Sequence, residues 1–321
     1  MNLLAVGLGL GLGTLCLALA PLLAAPAVAQ QTTFKTGVDV VNFGVAVMDK
    51  QGGAVDSLQP KDFIVLEDGK PQDIQYFSRG AESAVPMPLH VGLLFDVSGS
   101  MSADLEMARS AAIKFLNRLT RAEDLTIVDF DTEVRLARYG QNDFPRLVER
   151  LRNRQADGWT ALYDALGMFL DGAHQQDGQK VLVLYTDGGD TRSTMTWNDV
   201  LTSLKASDVT VYTIGFLQHQ GSGKGEQQLR LQQMADTTGG QGFFPVSLKE
   251  IDKVYDRIVR ELEGRYMLGY VSSNQTPDGA WRPVEIKVTR PGFKDLKIRT
   301  RKGYFAPYKD PPPTTVGRSQ R

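Results

Sequence analysis

Between residues 89 and 263 the chain carries four short, uninterrupted apolar runs, at 90–95, 125–130, 181–186 and 209–216. A strand with one wet face must alternate apolar and polar residues, whereas a strand covered on both faces need not. The stretches between the runs have helical spacing instead: Leu105, Ala108, Ala112, Leu116 and Leu119, then 144–151, 161–169, 197–204, 229–235 and 251–262. Strand and helix in turn predict an α/β fold with a parallel sheet clad by helices on both faces. Outside this zone the period falls to two. Val38 and Val40, Phe43, Val45 and Val47, and Ile64 and Leu66 alternate before it, and Val284, Ile286 and Val288, then Leu296 and Ile298, after it. Turn pairs such as Asp68-Gly69 and Pro291-Gly292 punctuate these runs, as in antiparallel strands. Each flank is only about 40 residues, too short for a stable all-β domain of its own. Because domain termini tend to lie close together, the two flanks are expected to form one β-sandwich interrupted by the α/β domain. The expected divisions are 30–85 and 265–306 for the sandwich and 86–264 for the inserted domain. Residues 307–321, with Pro311-Pro312-Pro313, are expected to be a disordered tail.

The first 29 residues stand apart. From Leu3 to Ala29 all are apolar, Gly or Pro except Thr14, and the first charge is Lys35. Ala27-Val28-Ala29 has the small-residue pattern of a signal-peptidase site, so 1–29 reads as an export signal, cleaved before Gln30. Without cleavage the same segment would be a membrane anchor; the mature chain otherwise has no expected membrane span. The destination is the periplasm or the cell exterior. Cys16 is the single cysteine and lies in the signal, so the mature protein can form no disulfide and no thiolate metal site. A balance of 36 Lys and Arg against 37 Asp and Glu gives no basic surplus and speaks against a nucleic-acid partner.

The chemistry lies where the apolar runs end. The first runs into Asp96-Val97-Ser98-Gly99-Ser100, the third into Asp187-Gly188-Gly189, and Thr160 precedes a helical stretch. In open parallel sheets ligands bind beyond the C-terminal strand ends, at the point where strand order reverses. Two carboxylates and three hydroxyls there make an all-oxygen donor set, which suits a hard divalent cation. Taken singly, Ser98, Ser100 and Thr160 could instead be helix N-caps, and Asp187 a turn residue.

Together, Asp96-Val97-Ser98-Gly99-Ser100, Thr160 and Thr186-Asp187-Gly188 resemble the metal-ion-dependent adhesion site of von Willebrand factor A domains, in matching order. The flanking segments Gly158-Trp159-Thr160-Ala161-Leu162-Tyr163-Asp164 and Val209-Thr210-Val211-Tyr212-Thr213-Ile214-Gly215 agree, and the resemblance spans 88–263. It implies a doubly wound, mostly parallel six-stranded sheet, with Asp96, Ser98, Ser100, Thr160 and Asp187 as metal positions. It also implies Mg²⁺ or Mn²⁺ as the ion and a protein partner whose Asp or Glu completes its coordination. The β flanks, with Arg265-Tyr266-Met267-Leu268-Gly269-Tyr270 and Gly303-Tyr304-Phe305, are similar to a bacterial exported subgroup of that family.

Competing motifs fail on spacing. His90, His174 and His219 are far apart and read as structural or solvated. Asp96 stands where a nucleophile elbow needs glycine, and Gly225 follows Lys224 where a phosphate loop needs Ser or Thr, so 221–225 reads as a surface loop. The basic residues of 290–301 read as the solvated face of an edge strand. Two functions remain: a non-enzymatic, metal-dependent adhesion or assembly module, and a metal-dependent hydrolase using the same oxygen cluster. Hydrolysis would need a general base, for which Asp190 is the nearest candidate.

Overall fold

The computed structural model describes residues 40–79, 87–218, 223–293 and 295–309. The segment expected to be an export signal, residues 219–222 with His219, and 310–321 lie outside the described residues. Four strands come first: β1 (Val40–Met48), β2 (Phe63–Glu67), β3 (Lys70–Gln72) and β4 (Tyr76–Arg79). The α/β region then runs β5 (Leu89–Asp96), α1 (Leu105–Leu116), β6 (Asp124–Phe130), β7 (Val134–Gly140), α2 (Phe144–Asn153), α3 (Leu162–Ala173) and β8 (Gln179–Thr186). It continues through α4 (Trp197–Ala206), β9 (Thr210–Gly215), α5 (Lys224–Thr238), β10 (Gly242–Phe243) and α6 (Leu248–Glu263). Strands β11 (Tyr266–Val271), β12 (Trp281–Val288), β13 (Lys297–Arg299) and β14 (Gly303–Phe305) close the chain.

The central sheet has six strands in the order β10-β9-β8-β5-β6-β7, parallel except for β7, which pairs antiparallel with β6. This is the mostly parallel six-stranded sheet that the resemblance implies, with the two covered faces expected from the apolar runs. Side chains on its two faces enter two separate cores. Val91, Leu93 and Phe95 of β5 pack toward α1 and α6, with Phe115 and Tyr255, while Leu94 joins Leu162, Leu166 and Phe169 of α3. Gly92 lets α3 lie close on the sheet, since a Cβ there would stand 2.1 Å from the Phe169 ring.

The flanking strands form two antiparallel sheets, β13-β1-β11-β4 and β14-β12-β2-β3, each drawing strands from both ends of the chain. Between them lies one core of Phe43, Val45, Phe63, Val65, Tyr266, Leu268, Tyr270, Ile286 and Tyr304. Asp68 and Gly69 both take left-handed backbone, at φ 49° and 75°, which gives the two-residue turn from β2 to β3 a twist that suits paired strands. Glu67 is buried in this core, yet its carboxylate is satisfied. Ser272 Oγ donates at 2.5 Å, and the hydroxyls of Tyr270 and Tyr304 donate at 2.9 Å each.

Several expectations need correction. Of the basic residues in 290–301, Lys297 is exposed as expected, but Arg299 and Arg301 do not belong to a solvated face. The Arg299 guanidinium pairs with buried Glu261 of α6, which also accepts from Tyr212 Oη at 2.7 Å, and Arg301 lies over the Phe43 ring at 4.5 Å while donating to the Asn42 carbonyl. A strand that joins two domains has a partner on the side that an edge strand in isolation would show to water. Lys224 and Gly225 open α5 rather than sit in a loop. Residues 307–309 are ordered at the start of the expected tail, because Lys309 N donates to the Pro277 carbonyl at 3.1 Å and Tyr308 bridges to Asp278. Among the described residues no helix is long and apolar enough to cross a membrane.

Candidate metal centre

Strand order reverses at β5, whose neighbours are β6 on one side and β8 on the other. The C-terminal residue of β5 is Asp96, with no exposed surface. The chain turns sharply there because Ser98 N donates to Asp96 Oδ1 at 2.9 Å. The other carboxylate oxygen accepts from Thr186 Oγ1, at the end of β8, at 2.6 Å. One oxygen is thus held by the backbone just past β5 and the other by a buried hydroxyl at the end of β8. Past Ser98 a 3₁₀ turn (Gly99–Ala103) brings Ser100 round, so that Ser98 Oγ and Ser100 Oγ lie 3.1 Å apart.

The capping alternative does not hold. Ser98 precedes the 3₁₀ turn but makes no side-chain cap bond, α1 is preceded by Asp104, and α3 by Ala161 rather than Thr160. The three hydroxyls are not spent on helix ends.

Thr160 is fixed through its backbone. Its N–H donates to Thr191 Oγ1 at 3.0 Å, and its carbonyl accepts from the N–H groups of Thr191 and Arg192 at 2.9 and 3.0 Å. Gly158 has φ +73° and its carbonyl accepts from Gly99 N at 3.0 Å, tying the Thr160 loop to the Ser98 turn. A Cβ on Gly158 would come 2.5 Å from Thr132 Oγ1, so this close approach requires glycine. Asp187 is buried, and its Oδ1 accepts from Gly189 N at 3.4 Å.

A cleft of about 330 Å³ opens on this cluster, lined by Ser100, Thr160, Asp187, Trp159 and Gln227 together with glycine backbone. The five residues singled out in the sequence therefore converge. Ser100, Thr160 and Asp187 line the cleft, Ser98 bonds to Ser100, and Asp96 accepts from Ser98 N.

Burial dominates the electrostatics of the floor. Burial pushes the Asp96 carboxyl up from 3.8 to about 7; the Thr186 and Ser98 hydrogen bonds oppose the rise, and the nearby Asp187 charge adds to it. Among the described residues no Lys or Arg forms an ion pair with Asp96. No cluster of three or more Asp, Glu, His or Cys side chains occurs among the described residues either. An ion bound here would have to take hydroxyl as well as carboxylate oxygen, which fits Mg²⁺ or Mn²⁺ and leaves room for an outside ligand.

Some residues of this region are not in the sequence-based set. Thr186 is one, although it stands in the Thr186-Asp187-Gly188 signal. Thr191 is another, since nothing in sequence spacing reveals that its hydroxyl meets a backbone 31 residues away. Nearby, fully buried Asp129 accepts from Arg135 at 2.8 Å, Arg150 at 2.5 Å and Arg154 at 2.9 Å, anchoring β7 and α2 beside the site. Asp190 is committed to structure, with Oδ1 accepting from Ser193 Oγ at 2.6 Å and Tyr163 N at 3.2 Å. Of the remaining histidines, His90 is tied to Asp124 at 3.1 Å and His174 lies exposed beyond the end of α3.

Comparison with known proteins adds three likenesses. Over 145 residues the chain is 30% identical to the uncharacterized protein sll0103 of Synechocystis; the match covers 41% of this chain and 33% of that one, so the chain spans about a third of that relative's length. A von Willebrand factor type A protein from Catenulispora acidiphila superposes with TM-score 0.47 at 13% identity, covering 86% of this chain and 76% of that one. The PilB minor pilin of Streptococcus sanguinis gives TM-score 0.45 at 15% identity over 57% and 63%. Likenesses this distant have no bearing on function. The sequence profile of the von Willebrand factor type A domain matches residues 90–257, the whole span from β5 into α6, and the chain belongs to that family.

Proposed function

We propose that this protein is an exported, non-enzymatic adhesion or assembly module that binds a protein partner through a divalent cation. Asp96, Ser98, Ser100, Thr160 and Asp187 would hold Mg²⁺ or Mn²⁺, and an Asp or Glu of the partner would complete the coordination from the cleft. Bound there, the ion would supply the dominant local positive charge, to which a carboxylate is drawn. The protein's own part is positioning. Asp96, fixed by Ser98 N and Thr186 Oγ1, keeps the floor of the site rigid, and the Thr191 clamp holds Thr160 at the rim. The observation that carries the reading is the buried Asp96 carboxylate, without a cationic side chain, under a pair of hydroxyls left unused by helix caps. The hydrolase alternative loses support because Asp190, its candidate base, already accepts two hydrogen bonds from the neighbouring loop and helix.

Calorimetric titration with Mn²⁺ tests the site. Wild type should bind one ion and Asp96→Ala none, with both proteins folded by circular dichroism; equal affinity would sink the assignment. Capture of partners from the exported fraction in Mg²⁺ but not in EDTA tests the function, and metal-dependent turnover of ester or phosphate substrates would favour the hydrolase instead.

A further inference from the structure

Trp159 lies on the cleft rim between Gly158 and Thr160, and 65% of it is exposed. A single exposed aromatic is ordinary on a protein surface. What distinguishes this one is how it is held and what it borders. Its N–H donates to Thr132 Oγ1 at 2.9 Å. Gly158 before it is locked in a left-handed conformation against Thr132, and Thr160 after it is clamped by Thr191 from both peptide faces. The ring is therefore presented from a fixed backbone, and little loop entropy remains to be lost when something packs on it. It shares its cleft with Ser100, Thr160 and Asp187. Around it the cleft is lined by Gly99, Gly158 and Gly189, which bring no side chains into its volume of about 330 Å³. That volume is room for a side chain beside the ring.

We infer that Trp159 is an anchor for the partner, packing against an apolar or aromatic residue adjacent in sequence to the acidic residue that enters the site. The inference rests on the cation-bridged reading above and narrows its partner: an extended segment with an Asp or Glu at the metal position and a large apolar side chain within two residues of it. Trp is the residue type most often found to dominate binding energy when it is presented in this way, because a large rigid surface is buried at small entropic cost.

The test is selection of random peptides on the full chain in Mg²⁺ with elution by EDTA, carried out in parallel on wild type and Trp159→Ser. Circular dichroism checks that the variant is folded, as expected for an exposed side chain. The wild-type pool should be enriched in Asp or Glu flanked by Leu, Phe, Tyr or Trp. The variant pool should keep the acidic residue and lose the apolar neighbour, and single peptides from the wild-type pool should bind the variant about tenfold or more weakly. The same apolar enrichment in both pools, or enrichment of Lys and Arg beside the acid, would overturn the role of Trp159 while leaving the metal site standing. A wild-type pool without Asp or Glu would overturn the cation-bridged reading itself, and this inference with it.

Discussion

Replacing Asp96 by Asn should make the metal-free protein more stable at neutral and alkaline pH. The side chain is fully buried, and its carboxyl is pushed up from 3.8 to about 7, chiefly by loss of water. The folded state therefore keeps a proton that the unfolded chain gives up between these two values. For such a group stability is highest below pH 3.8, falls as pH rises through the window, and is lowest above about pH 7. A span of about three pH units at about 1.4 kcal/mol each sets an upper bound near 4 kcal/mol for the cost of the buried charge. The Asn side chain removes that cost but introduces another. If its carbonyl takes the Ser98 N–H, its amide must face Thr186 Oγ1, whose proton loses its acceptor, at about 1–3 kcal/mol. The net expectation is a gain of roughly 1–3 kcal/mol above pH 7, which shrinks as pH falls and turns into a loss of about 1–3 kcal/mol near pH 4, where the buried-charge cost is gone and the unmet Thr186 proton remains. At about 2–4 °C per kcal/mol for a domain of this size, melting of Asp96→Asn in EDTA at pH 8 should rise by on the order of 5 °C. Mg²⁺ should raise the melting temperature of wild type, through binding to the folded state alone, and leave the variant unmoved. Three results would each refute this account: an Asp96→Asn variant no more stable than wild type in EDTA at pH 8, an advantage that persists at pH 4, or equal stabilisation of both proteins by Mg²⁺.

Two further outcomes follow from the junction between the domains. Glu261→Ala should destabilise by roughly 3–5 kcal/mol, because it strands the Arg299 guanidinium and removes the acceptor of buried Tyr212; a loss below about 0.5 kcal/mol in urea titration would show that the pair is solvated in practice. Residues 86–264 expressed alone should fold, whereas residues 30–85 should not, because β1 finds its partners only in β11 and β13 and β2 pairs with β12. Native-like circular dichroism of the 30–85 fragment would refute the discontinuous sandwich.

The central sheet and its site were readable in the sequence because both depend on local pattern. An uninterrupted apolar run ending in Asp96, or in Thr186-Asp187-Gly188, places carboxylates at strand ends whatever the rest of the chain does. The edge strands were not readable. β7 is half exposed along most of its length and carries Arg135 and Arg138 among its apolar residues, and β10 is two residues long, so neither has a periodicity to detect. The inward turn of Arg299 and Arg301 was hidden for another reason. Alternation shows that a strand has two faces but not that a second domain lies against the one that carries charge. The clamp on Thr160 and the hydroxyls around Glu67 escape for the same reason as most side-chain networks, since their members are brought together by the fold alone.

The interleaving of the two flanking sheets also imposes an order in time. Tyr304 meets Glu67 across 237 residues of chain, and Leu58 N meets Tyr266 Oη across 208. As the chain is synthesised, β1 and β2 emerge with their pairing edges open and stay so until the whole α/β domain and the final strands have followed. During that interval they are adhesive to any other exposed edge. The α/β domain, with its own two cores, is able to fold meanwhile and to deliver β11 from the end of α6. A chain that stopped short of residue 303 would keep the oxygen cluster of Asp96, Ser98, Ser100, Thr160 and Asp187 yet lack β14 and the Tyr304 hydroxyl that helps to satisfy buried Glu67. Premature termination is therefore expected to yield a protein that aggregates through its β flank while its α/β domain stays folded.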